Sequence, residues 1–170
     1  KEDFYLIMIS LVFILLIYLN NNSVLNITIS VLSSLGNSGL TLINSDNNLS
    51  LYFILIVAIG GSLVSNTSGI KFTRIYILIK TASSEINKLI SPNSIINKNL
   101  LSSEKKITEE NVKISFLIFI SFFISLFILS SILIVDDIDF EKSFKLSILT
   151  ITNTTNSAMF GVEQIYFANL

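Results

Sequence analysis

Apolar residues in this chain are gathered into long runs rather than alternating with polar ones. Residues 4–19 contain only Tyr5, Ser10 and Tyr18 as polar breaks, and residues 112–135 contain one charge, Lys113, at their edge. A helix needs about 20 apolar residues to cross ~30 Å of hydrocarbon. The second run meets that length and the first approaches it with help from its flanks. Both are therefore predicted to be membrane-spanning helices.

A third apolar run, residues 50–80, is interrupted by small and polar residues. The interruption begins at Gly60 and Gly61, continues through serine, asparagine and threonine, and ends at Gly69. Non-helical backbone at membrane depth is tolerated only where it is buried in protein or lines water. The pattern therefore predicts a broken transmembrane helix whose break lines a pore.

The two halves of the chain repeat one order of segments. Each has an apolar span, a short polar connection, an amphipathic stretch too short to cross, and a turn-rich polar segment. This order predicts parallel repeats in which a short pore helix leads into a re-entrant loop. We expect a first repeat at residues 1–80, a basic loop at 81–111 and a second repeat at 112–170. The first repeat would consist of a span at 4–19, a pore helix at 23–32, a filter loop at 33–40 and a broken span at 50–80. The second would consist of a span at 112–135, a pore helix at 142–151 and a filter-like loop at 152–161.

The second repeat lacks the span that would complete it. We therefore expect the chain to be a fragment of a longer polypeptide, with a truncated gene product as the alternative.

Basic and acidic residues are predicted to lie on opposite sides of the membrane. Eight of the eleven basic residues lie in one stretch, namely Lys71, Arg74, Lys80, Lys88, Lys98, Lys105, Lys106 and Lys113. The positive-inside tendency places the loop they occupy in the cytoplasm. The other side carries Asp46, Asp136, Asp137, Asp139 and Glu141. An acidic outer rim raises the local concentration of cations.

Composition supports the membrane class and excludes several chemistries. Hydrophobic residues make up 51% of the chain and the mean hydropathy is +0.74. Without cysteine or histidine there is no disulfide, no thiol catalysis and none of the commonest zinc sites. A net charge of −1 argues against nucleic acid as a partner. No catalytic constellation is apparent, so we do not expect an enzyme.

The polar segment after the first short helix has the residues that a cation filter needs. A filter turns backbone carbonyls toward a dehydrated ion, which favours glycine where φ must be positive. Gly36 and Gly39 are expected to supply that freedom, and Ser33 and Ser34 can add hydroxyl oxygens. An ordinary Ser/Gly/Asn loop is the alternative interpretation.

Taken in order, these segments resemble the third repeat and following region of the TrkH/KtrB potassium transporters. The resemblance rests on the pore loop 33–39, on Gly60-Gly61-Ser62 with Asn66-Thr67-Ser68-Gly69-Ile70-Lys71 and Arg74, and on Ser91-Pro92-Asn93. It implies an all-α integral membrane fold of span–pore-loop–span repeats, like that of K⁺ channels, with one broken transmembrane helix. It also implies a multi-pass protein of the bacterial inner (plasma) membrane.

The resemblance assigns roles by position. The filter residues would be Ser33, Ser34, Leu35, Gly36 and Asn37 in the first loop and Thr152, Asn153, Thr154 and Thr155 in the second. The intramembrane gating loop would comprise Gly60, Gly61, Ser62, Ser65, Asn66, Thr67, Ser68 and Gly69, with Lys71 and Arg74 at its cytoplasmic end.

The family also implies an ion and partners. The transported ion would be K⁺, sometimes with Na⁺, held by filter carbonyls without any further cofactor. Partners would be the lipid bilayer, the remaining repeats of the same polypeptide, a second copy in a homodimer, and a cytoplasmic nucleotide-binding regulatory subunit.

Two departures from the family pattern favour an alternative function. Leu63 and Val64 make the break bulkier, and Thr155 stands where the second loop would carry its filter glycine. A β-branched residue is strongly disfavoured where φ must be positive. The alternative is therefore a non-conducting membrane scaffold or a degenerate relic of such a transporter.

Overall fold

The computed structural model describes residues 2–19, 23–38, 47–62, 65–91 and 106–154. These residues form six α-helices: α1 Glu2–Tyr18, α2 Val24–Leu35, α3 Asn47–Ile59, α4 Phe72–Ile90, α5 Glu109–Val135 and α6 Phe140–Ile151. The prediction of an all-α fold is confirmed.

Helix α5 is the one described helix that is both long and apolar enough to cross a membrane. Its 27 residues extend over about 40 Å at 1.5 Å per residue. The Thr108 hydroxyl accepts a hydrogen bond from the Asn111 backbone N–H at 3.3 Å, which fixes the start of the helix. Only 11% of its most apolar stretch is buried. The core helix of a soluble protein would be largely buried instead.

Small polar residues are buried about as often as apolar ones in the described part of the chain, while many large apolar side chains stay exposed. Helix α5 buries Ser115 and Ser130 together with Phe122 and Leu126. Large side chains on the same helix remain exposed, among them Phe116, Leu117, Ile124, Phe127 and Ile128. Small residues at helix contacts, with large apolar side chains outside, are typical of helices that pack within lipid.

One apolar cluster joins five of the six helices. Ile17 of α1, Val31 of α2, Phe53 of α3, Leu126 of α5 and Leu149 of α6 are all essentially inaccessible to solvent. Since α2 and α6 are only 12 residues long, this cluster holds two short helices against the long ones. The ends of the short helices are thereby fixed in place.

Two helices continue past their predicted C-terminal ends. Helix α2 continues through Leu35, so the prediction of a filter loop from residue 33 is wrong for residues 33–35, which are helical. The Ser34 hydroxyl bonds back to the Ser30 carbonyl at 2.7 Å, which lets a buried serine remain in a helix. Helix α4 runs on to Ile90, so the first ten residues of the predicted basic loop 81–111 are helical as well.

Candidate functional site

Helix α2 ends in a Schellman motif at the start of the first polar loop. The Ser38 N–H donates to the Ser33 carbonyl at 3.0 Å, and the Asn37 N–H donates to the Ser34 carbonyl at 3.2 Å. Asn37 has φ of +51°, the left-handed conformation that this motif requires after a helix. The helical backbone therefore gives way at Asn37 rather than at Ser33.

Helix α6 ends in the same way, 116 residues later. The Thr154 N–H donates to the Leu149 carbonyl at 2.9 Å, and the Asn153 N–H donates to the Thr150 carbonyl at 3.2 Å. Asn153 has φ of +53°. The two helix ends thus match residue for residue, with Asn153 at the position of Asn37 and Thr152 at that of Gly36.

The matching helix ends correct the assumed role of Gly36. Its φ is −81°, an ordinary right-handed value, so the expectation that it supplies positive φ is wrong. Thr152 adopts nearly the same conformation, with φ of −88°. The positive φ lies at an asparagine in both loops, and the lack of glycine at residue 152 therefore carries no backbone penalty. Gly39 and Thr155 lie outside the described residues.

The break between α3 and α4 closes on itself. Gly60 has φ of +67° and Gly69 has φ of +96°, and a Cβ built on Gly60 would lie 2.3 Å from the Ser68 carbonyl oxygen. The Ile70 and Lys71 N–H groups donate to the Ala58 and Ile59 carbonyls, both at 3.0 Å. The end of the loop therefore caps the helix from which it departs.

Hydroxyl groups fill the interior of this closed loop. The Gly61 N–H donates to Thr67 Oγ1 at 3.0 Å, and Ser65 Oγ lies 2.7 Å from Thr67 Oγ1. Ser65 Oγ also donates to the Ser62 carbonyl at 2.7 Å. A side chain at Gly61 would meet both hydroxyls, at 2.7 and 2.8 Å. The small residues of the break therefore serve a compact polar network.

The Lys71 ammonium group is held by oxygens of the loop. Its Nζ donates to the Ser65 carbonyl at 2.8 Å, to the Thr67 carbonyl, and to Thr67 Oγ1 at 3.0 Å, with Ser65 Oγ at 3.4 Å. Lys71 is only 9% exposed. A cation of the chain itself therefore occupies a cluster of four oxygens inside the break.

Lys71 also has an unusual backbone. Its φ of +74° with ψ of +129° is a conformation that costs a non-glycine residue about 1–3 kcal/mol and persists only where the surroundings impose it. Helix α4 begins at the next residue, and Arg74 lies in its first turn. The Thr73 hydroxyl in that turn bonds to the Glu2 carboxylate. The start of α4 is therefore tied to the start of α1.

The first polar loop and the break meet at a single side chain. Asn37 Nδ2 donates to the Ser68 carbonyl at 3.1 Å, across 31 residues of sequence. The Asn37 Oδ1 atom is buried and has no hydrogen-bond partner among the described residues. A buried amide oxygen without a partner is a candidate cation ligand, since cations are bound by such oxygens.

The structure brings some of the predicted site residues together and leaves others apart. Asn37 contacts the loop that carries Ser65, Thr67 and Lys71, whereas Asn66 is exposed. In the second loop the Thr152 and Thr154 hydroxyls lie 3.1 Å apart, and both residues are buried. In the described part of the chain, the bonds of these two hydroxyls stay within the end of α6.

Asn37 and Asn153 are functional candidates whose conformation was not foreseen from the sequence. A signal was present, because both loops have asparagine followed by a hydroxyl residue at the same distance from a short amphipathic helix. Asparagine tolerates the left-handed conformation better than other non-glycine residues. The contact from Asn37 to Ser68 has no comparable local signal.

No protein-family model matches this sequence, and a search of curated proteins finds no significant match. The likeness to the potassium transporters therefore rests on the motifs alone.

Proposed function

We propose that this chain is part of a multi-pass membrane protein that moves monovalent cations, with K⁺ as the principal ion and Na⁺ as a second. Filter carbonyls would replace the hydration shell of the ion, and the loop between α3 and α4 would open and close the path. The observation that carries the proposal is the hydrogen bond from Asn37 to Ser68, because it couples the filter-like loop to the gate-like loop.

Several features support placement in the bilayer. Helix α5 has the required length and apolarity, and exposed large side chains occur along α1, among them Phe4, Ile7, Leu11 and Leu15. Contiguous exposed apolar surface of this extent marks an interaction with lipid or protein. Helix α1 covers about 26 Å, which approaches the thickness of the hydrocarbon core.

The repeat is supported by the two short helices. Helices α2 and α6 have equal length, both pack against the preceding long helix, and both end with asparagine in the left-handed conformation. We propose that they are equivalent pore helices. The filter would then begin at Asn37, about one helical turn later than the sequence predicted, and at Asn153, one residue later than predicted.

A gating role is supported by the closed form of the break. A loop whose two ends are joined by backbone hydrogen bonds can open only by breaking them, and the Lys71 ammonium adds bonds that also need rearrangement. Non-helical backbone sealed in this way satisfies its polar groups within the protein. The proposed homodimer and nucleotide-binding regulatory subunit would bias this opening.

The proposal is tested by K⁺ uptake in cells that lack their own uptake systems. Expression of the full-length protein should restore growth at low K⁺, and Asn37→Asp should change the ratio of Rb⁺ to Na⁺ uptake because it places a charge at the start of the filter. Gly36→Ala is the control, since its Cβ would lie no closer than 3.4 Å to other atoms. Equal ion ratios in all three proteins would contradict the filter assignment.

A non-conducting membrane scaffold is the second candidate. It is favoured by one specific observation, namely that an ammonium group of the chain already occupies the oxygens of the break. Such a protein would hold its partner repeats or subunits in the bilayer without passing ions. Absence of growth rescue by a protein that inserts normally in the membrane would select this candidate.

A further inference from the structure

A cavity lined by several charged and hydroxyl-bearing residues lies between the second half of α4 and the beginning of α5. Its volume is about 320 Å³, and its lining includes Lys80, Ser84, Lys88, Thr108 and Lys113. The cavity belongs to the lysine-rich side of the molecule, which the positive-inside tendency places in the cytoplasm. It lies at the start of the helix best suited to cross the membrane, at the depth where lipid headgroups would be found.

Ser84 marks the cavity as a binding site. This residue is only 5% exposed, and its Oγ atom has no hydrogen-bond partner among the described residues. The neighbouring hydroxyls are engaged, because Thr81 donates to the Ile77 carbonyl and Thr108 accepts from the Asn111 N–H. Leaving a buried hydroxyl unpaired costs about 1–3 kcal/mol. A ligand oxygen in the cavity would remove that cost.

The charge of the lining favours an anion. Three lysines face two glutamates, Glu85 and Glu109, and one of these carboxylates is engaged by Lys88 at 2.7 Å. The N-terminus of α5 adds the positive end of a helix dipole. A phosphate group, with several acceptor oxygens and negative charge, would satisfy both the Ser84 hydroxyl and the lysine ammonium groups.

An apolar groove continues from the cavity along α5. It is lined by Phe116, Leu117, Ile120 and Ile124, and it shares Lys113 with the cavity. Its volume is about 510 Å³. All four apolar side chains are well exposed, with Leu117 at 67%. The basic cavity and the apolar groove meet at Lys113. This arrangement is complementary to a phospholipid, which has a charged headgroup and apolar acyl chains.

We propose that this composite site binds one anionic phospholipid, with its phosphate in the cavity between α4 and α5 and an acyl chain in the groove along α5. Basic pockets between helices on the cytoplasmic side are suited to anionic headgroups. The lipid would link the helix that follows the break to the helix that begins the second repeat. The inference does not depend on whether the protein conducts ions.

Native mass spectrometry of the protein in a neutral detergent tests the proposal. The protein is titrated separately with short-chain phosphatidylglycerol, short-chain phosphatidylcholine and inorganic phosphate. We expect one tightly bound phosphatidylglycerol and weaker binding of phosphatidylcholine. Lys113→Gln should weaken phosphatidylglycerol about tenfold, because it removes a charge-assisted bond to phosphate. Lys142→Gln is the matched control, since Lys142 follows the other end of α5 and pairs with Asp139 at 3.4 Å.

Ser84→Ala gives a second variant that should fold normally, since the hydroxyl it removes has no partner among the described residues. It should weaken phosphatidylglycerol about fivefold, the effect of one hydrogen bond. Equal binding of the two lipids, or equal weakening by Lys113→Gln and Lys142→Gln, would overturn the proposal. If inorganic phosphate bound as tightly as phosphatidylglycerol, the cavity would be a site for the free anion, and the assignment of a lipid would be overturned.

Discussion

The side-chain amide of Asn37 donates a hydrogen bond to the carbonyl oxygen of Ser68, and this bond joins the end of a short helix to a break in another helix. The backbone is conformationally restricted at both residues of this hydrogen bond. Asn37 has positive φ, and Ser68 lies against Gly60, which has no room for a side chain. The contact therefore joins two loops whose own backbone geometry is restricted.

Replacing Asn37 by glycine isolates this contact. Glycine keeps the left-handed backbone and removes only the side chain, so Asn37→Gly should lower the free energy of unfolding through the lost hydrogen bond. Asn153→Gly is the matched control, because Asn153 has the same backbone conformation and its side chain makes no hydrogen bond to the described residues of the break. We expect a difference of about 1 kcal/mol between the two variants in unfolding measured in detergent. Equal stabilities would show that the amide contact contributes nothing.

A pair of glycine substitutions tests the closed form of the break. Gly60→Ala places a Cβ 2.3 Å from the Ser68 carbonyl oxygen at a residue with positive φ, so it should destabilise the protein by more than about 2 kcal/mol. In Gly36→Ala the new Cβ lies no closer than 3.4 Å to another atom, and the φ of residue 36 is negative. This variant should therefore change the free energy of unfolding by less than about 1 kcal/mol. Thermal unfolding of both proteins provides the comparison. Similar losses would mean that the loop does not close at Gly60.

The bounds of most helices could be predicted from the sequence, and the site could be predicted only in part. Long apolar runs predicted the helices α1 and α5, and of the described helices α5 alone is long and apolar enough to cross a membrane. Serines 33 and 34 suggested a loop, but both are buried and helical, and the Ser34 hydroxyl bonds back to the Ser30 carbonyl of the preceding turn. The contact between Asn37 and Ser68 joins distant parts of the chain, and no local pattern encodes it.

Removal of the Lys71 charge should loosen the break. Lys71→Met keeps the length of the side chain but leaves the Ser65 and Thr67 carbonyls without their ammonium donor. Hydrogen bonds to charged groups contribute about 1.5–3 kcal/mol each, so a net loss of about 2 kcal/mol in unfolding free energy is expected. Lys142→Met, on an exposed pair, should have little effect. If the two variants were equally stable, the oxygen cluster would have no structural role.

The contact between Glu141 and Lys145 at the start of α6 depends on pH. A hydrogen bond from Lys145 to Glu141 at 2.6 Å holds the pKa of the Glu141 carboxyl below its usual value, with the lysine charge as a further cause. Because the folded pKa is the lower one, this stabilisation is present above the unfolded pKa and is lost as pH falls through the folded pKa. Carboxyl NMR should give a titration midpoint for Glu141 below that of an ordinary glutamate. In Lys145→Met the midpoint should rise; an unchanged midpoint would assign the shift to another group.

We propose that the loop between α3 and α4 closes a path for monovalent cations and that Lys71 helps to hold it shut. Rubidium efflux from proteoliposomes that contain the full-length protein is the decisive measurement. We expect slow efflux from the wild-type protein and faster efflux from Lys71→Met, with Lys142→Met at the wild-type rate. Equal efflux from all three proteins, or slower efflux from a normally folded Lys71→Met protein, would contradict it.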